Sequence, residues 1–121
     1  NTPEDAIIRL EALAAGGDAK ISEKALTSQV ASAIEIIVQI SRYSDGSRKI
    51  GAISEVRGVD EKGKYIVVPI FEIKALTRKA DGKLEGHIEP TGNIPSFYQE
   101  IVDNKINFPV TKFQKPIKAA G

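Results

Sequence analysis

The 121 residues carry a formal net charge of +1, so the chain lacks the broad basic field that drives non-specific nucleic-acid binding. It has no cysteine, which excludes disulfides, thiolate metal sites and thiol catalysis. The length fits one domain, no run approaches the roughly 20 apolar residues of a membrane span, and no leader pattern opens the chain, so a cytoplasmic protein is expected.

In chain order, Thr2 suits a helix N-cap, Pro3 the first helical position, and Glu4 and Asp5 the positive end of the helix dipole. Ala6, Ile7, Leu10, Leu13 and Ala14 form a one-sided stripe that Gly16-Gly17 ends. The absence of any methionine, an initiating one included, predicts a piece of a longer chain. Ser22 caps a second predicted helix, with Ile21 stapled onto Leu26, and Leu26, Val30, Ala33 and Ile34 on its inner face. Ile34, Ile36, Ile37, Val38 and Ile40 are nearly continuous and β-branched, which predicts a strand buried on both faces.

The remainder reads as hairpins. Lys49–Val59 pairs with the first strand through a loop around Asp45-Gly46, "EKGK" (61–64) turns into a third strand over Tyr65–Lys74, and "ADGK" (80–83) joins Ile73–Arg78 to Leu84–Ile88. Pro69 lacks a donor, so the third strand is expected at an edge or with a bulge there. "PSFYQEIVDNK" predicts a last helix with Phe97, Ile101 and Val102 on one face. Phe108 and Phe113 are expected to dock the tail, with residues 114–121 flexible. The expected core comprises Ile7, Leu10, Leu26, Val30, Ile34, Ile37, Val38, Ile40, Ile53, Val56, Val67, Ile70 and Phe71.

Catalytic signals are sparse. His87 shares a strand face with Glu85 and Glu89, a pattern that suits a solvated face better than a metal site. Glu4-Asp5 reads as a helix start and Asp60-Glu61 as a turn, and no phosphate-cradling G-x-x-x-x-G-K-[ST] or nucleophile-elbow motif is present. No catalytic residue and no metal are assigned.

Several segments resemble one family. "NTPEDAIIRLEAL" is similar to the stretch after the histidine box of type II/type IV secretion ATPases, and "SQVASAIEIIVQISRYSDGSRKIGAISEVRGV" to the following helix, strand and hairpin of the CpaF-like branch, which assembles Flp or tight-adherence pili. "GHIEPTGNIPSFYQEIVDNKINFP" resembles that branch's closing turn and helix, so the likeness covers residues 1–113. The resemblance implies an α+β fragment of a RecA-like α/β ATPase domain: two N-terminal helices, a largely antiparallel sheet with hairpins, and a C-terminal helix. It implies a full-length parent that uses ATP and Mg, forms a homo-hexamer, and works in the cytoplasm against inner-membrane pilus or secretion platform proteins. The Walker motifs would lie upstream, so this chain alone is expected to bind no cofactor and no nucleic acid.

Asn1 would then be the last residue of the histidine box, with Arg9, Arg42 and Arg48 near the nucleotide or at the subunit interface. Arginine reads phosphate or carboxylate bidentately; equally, Arg42, Arg48 and Arg57 suit a solvated hairpin, and Arg9 a helix-surface ion pair with Asp5. A freestanding interaction module using an edge strand and hairpin is the alternative function, and a small independent enzyme or metal protein centred on His87 the third.

Overall fold

The computed structural model describes residues 2–16 and 22–115. Asn1, Ile21 with its expected staple, Gly17, and residues 116–121 of the tail lie outside them.

Local chemistry starts both long helices where the sequence predicts. In α1 (Pro3–Ala15) the Thr2 hydroxyl accepts from the Asp5 N–H at 3.1 Å, and Asp5 accepts back from the Thr2 N–H at 3.4 Å. In α2 (Glu23–Ala33) the Ser22 hydroxyl accepts from the Ala25 N–H at 3.1 Å. The helix stops at Ile34, whose backbone turns extended (φ −99°, ψ 121°) while its N–H still bonds to Val30. A β-branched residue gives up little by leaving the helix there.

Four strands follow: β1 (Ile36–Arg42), β2 (Arg48–Val59), β3 (Tyr65–Arg78) and β4 (Leu84–Pro90), in the order β1-β2-β3-β4 of one antiparallel sheet. A short helix α3 (Tyr98–Asp103) and a 3₁₀ turn (Val110–Phe113) complete an α+β fold. All three hairpin turns share one design. The residue entering the turn bonds across it, as Tyr43 N–H does to Ser47 O at 2.8 Å, Asp60 to Lys64 at 2.8 Å and Lys79 to Lys83 at 2.8 Å. A glycine with positive φ closes each: Gly46 at 85°, Gly63 at 80° and Gly82 at 86°. Only glycine takes that conformation without cost, which is why the turns were readable as Asp-Gly or Lys-Gly.

The chain divides into two compact units. The first comprises residues 1–37 and 54–68. Its core is Ile7 of α1, Leu26 and Val30 of α2 and Val56 of β2, with Ile34, Ile37 and Tyr65 packed against them. Each such side chain stabilises by about 1.5–3 kcal/mol through burial. Consecutive residues Ser54, Glu55 and Val56 are all buried, so this stretch of β2 is covered on both faces. Both-face burial was expected of β1 instead. There Ile36, Val38 and Ile40 are 44%, 50% and 66% exposed, and Val38 and Ile40 leave the expected core. β1 is the outermost strand, and an unbroken apolar run cannot distinguish one covered face from two. Leu10 is also corrected: α1 buries Ile7, and Leu10 stays 41% exposed.

The second unit comprises residues 38–53 and 69–121. Phe113 lies buried with its ring 5.1 Å from Phe108, 5.7 Å from Tyr98 and 5.8 Å from Phe71, so the expected tail docking holds. Ile101 is half-buried, whereas Val102, expected on the same inner face, is 49% exposed. β3 is an inner strand rather than the expected edge. Pro69 is tolerated because pairing with β4 runs only from Phe71↔Pro90 to Arg78↔Leu84, which leaves Pro69 past the end of β4. Its carbonyl accepts from Thr91 Oγ1 at 2.7 Å and Asn93 Nδ2 at 2.9 Å. The bulge falls elsewhere, between Lys74↔His87 and Thr77↔Glu85, where Ala75 has φ 54°.

Candidate functional site

Arg42 is the last residue of β1 and Arg48 the first of β2, so both are exposed beside the same turn in the second unit. Arg9 is exposed on α1 and belongs to the first unit, and Asn1 lies outside the described residues. Asp5, the expected partner of Arg9, directs its carboxylate back to the Thr2 N–H.

The turn beside Arg42 and Arg48 is held by an acid that sequence reading treated only as a turn former. Asp45 Oδ1 accepts from the Ser47 hydroxyl at 2.5 Å and the Ser47 N–H at 2.9 Å, and Oδ2 accepts from the Leu84 N–H at 2.7 Å. These bonds, the Ser47 hydroxyl foremost and Leu84 next, hold its carboxyl well below the usual carboxylate range. Arg78 donates to Gly82 O at 2.7 Å and to Ser44 Oγ at 2.9 Å. The β1–β2 and β3–β4 tips are thereby tied together, and residues 42–49 and 78–85 bring six cations against three carboxylates. Arg57 is engaged differently, since its Nε donates at 2.8 Å to Glu55, whose side chain is 4% exposed.

The first unit holds an open groove of about 830 Å³ between α1, α2 and the start of β3, floored by Ile8, Ala12, Ala15 and Leu26. The Glu11 carboxylate on its wall accepts from Thr27 Oγ1 at 2.9 Å and from the Tyr65 hydroxyl at 2.5 Å. Exposed Glu4 and Glu23 line the same groove, with Lys64. Burial, and then the Glu11 hydrogen bond and charge, push the Tyr65 phenol up to about 12. With both donors neutral and both oxygens engaged, Glu11 suits holding a shape or receiving a cation better than abstracting a proton. Sequence reading missed this network. Its one local signal was an acid four residues after Ile7, on the inward face of α1, where an ionised group needs partners. Those partners come from residues 16 and 54 positions away.

His87 Nε2 lies 2.9 Å from Glu89 Oε1 on an exposed face, and no metal-binding cluster exists among the described residues. None of the helices among the described residues is long and apolar enough to cross a membrane. Compared with known proteins, the chain matches no protein family and no curated protein.

Proposed function

We propose that the chain is the C-terminal part of the RecA-like ATPase domain of a CpaF-like type II/type IV secretion system ATPase, a hexameric motor for pilus assembly or protein secretion. The order and spacing of its motifs over residues 1–113 favour this reading. The structural observation that carries it is the outer strand β1, which presents Ile36, Val38 and Ile40 to solvent. The strand has no proline, glycine or lysine that would block pairing at its outer side, and Arg42 stands only at its end. An outermost apolar strand of this kind suits a sheet that continues in a larger domain.

In this reading ATP and Mg bind parts of the parent that contain the phosphate loop. This segment supplies structure and subunit contacts, and Arg42 and Arg48 meet phosphate or a neighbouring subunit's carboxylates. The coding sequence upstream of Asn1 tests it. A G-x-x-x-x-G-K-[ST] run in the same reading frame is expected. A start codon just before Asn1, with no such run, overturns the motor and favours the freestanding interaction module, which the same outermost strand would serve.

A further inference from the structure

We infer that the cationic hairpin end of one copy docks into the carboxylate-lined groove of a second copy. The inference deepens the ring-subunit reading, on which it rests for its biological setting, by naming the two faces that meet.

The groove supplies an apolar floor of alanine, isoleucine and leucine side chains beneath three carboxylates, Glu4, Glu11 and Glu23, with Lys64 the one cation among the described lining residues. That combination suits a side chain with an aliphatic stem and a planar cationic head: the stem covers the floor while the guanidinium meets the acids. The same chain carries such groups. Arg42 and Arg48 are exposed at a tip where, with Lys49, three cations face the single carboxylate of Asp45, so a positive surplus remains there. The bonds from the Leu84 N–H to Asp45 and from Arg78 to Ser44 keep the two tips together before any partner arrives, which lowers the ordering cost of docking. Each copy carries both a tip and a groove, and in the ring reading it offers the tip to one neighbour and the groove to the other, a heterologous contact.

Sedimentation of the 121-residue chain tests this with two double variants. One replaces Arg42→Gln and Arg48→Gln; the other replaces Glu4→Gln and Glu23→Gln. All four side chains are exposed, so both variants are expected to fold, with circular dichroism as the check. The wild type should associate as concentration rises at low salt and dissociate as salt is added. Each double variant alone should associate about tenfold more weakly. An equimolar mixture retains one intact tip and one intact groove per pair, and should recover association but stop at the dimer.

A wild type that stays monomeric overturns the inference, as does a mixture that fails to recover association. Association that survives in both variants but is lost in Val38→Lys assigns the contact to the β1 edge and also overturns it. A monomeric chain whose upstream coding sequence carries the phosphate loop removes this pairing alone and leaves the motor reading standing.

Discussion

Arg48 and Arg57 stand toward opposite ends of β2 and differ in what surrounds them. Arg57 sits 2.8 Å from a buried carboxylate, so it is not the solvated hairpin residue that its sequence position suggests. Arg57→Ala should cost about 2 kcal/mol in urea denaturation, because Glu55 loses a charged donor while remaining buried. Arg48→Ala should stay within about 0.5 kcal/mol, since its side chain is solvated. If the proposed motor reading holds, Arg48→Ala in that full-length protein should lower ATP turnover or hexamer formation, and Lys should rescue it only in part, lacking the planar fork. Unchanged turnover and assembly would return Arg48 to a solvated role. Tyr65 makes a pH prediction. Its folded pKa of about 12 lies above the unfolded value near 10. Below pH 10 both states are protonated and the contribution is complete; between about 10 and 12 the unfolded chain releases its proton first, so stability falls. Tyr65→Phe should flatten that decline in alkaline denaturation curves and cost about 1 kcal/mol at neutral pH through the lost bond to Glu11.

At the scale of elements, β1 and β2 exchange the roles that their residue types suggest. Ile40→Lys on β1 should change stability by less than about 0.5 kcal/mol, because the side chain is 66% exposed. Val56→Ala on β2 should cost about 2 kcal/mol, the penalty of a small cavity in the core of the first unit. Equal losses in urea denaturation would mean that β1 is covered after all. The bulge offers a test of the opposite sign. Alanine to glycine within a strand normally destabilises by about 0.5–1 kcal/mol. Ala75→Gly should be neutral or stabilising, because a φ of 54° is a glycine conformation. The tie between the hairpin tips should fail in acid. Asp45 has its carboxyl held below the unfolded value near 4, so its contribution is present above that pH and is lost as pH falls further. Faster hydrogen exchange at the Leu84 N–H, with the amides of the first unit unaffected, is the expected signature.

For the whole molecule, a net charge of +1 conceals a separation of sign. Residues 42–49 and 78–85 hold a surplus of three positive charges, so the rest of the chain is net negative. Such a molecule is expected to be sensitive to ionic strength in its contacts with other proteins and indifferent to duplex nucleic acid, which responds to a broad positive field. Calorimetry should detect no Mg-ATP binding by the chain alone, since its sequence has no G-x-x-x-x-G-K-[ST] run to surround a triphosphate. Micromolar binding would relocate the nucleotide site into this segment and revise the proposed division of labour.

Thr2, Ser22 and the turns at Asp45-Gly46, Gly63 and Asp81-Gly82 were legible in the sequence because each acts within about four residues, where the chain supplies its own partners. The hairpins followed from those signals, although the sequence reading divided residues 65–78 into two segments where β3 runs unbroken. Burial was different. Ile36, Val38 and Ile40 have the same residue types whether an outer face is covered or bare, and only strand order placed them at the edge. Pro69 became tolerable in an inner strand because β4 ends short of it. The groove wall required Glu11, Thr27 and Tyr65 to meet across 16 and 54 residues, a contact that no local period encodes. Local hydrogen bonding determined where the elements begin and end; packing between distant residues decided which faces they hide and which they leave exposed.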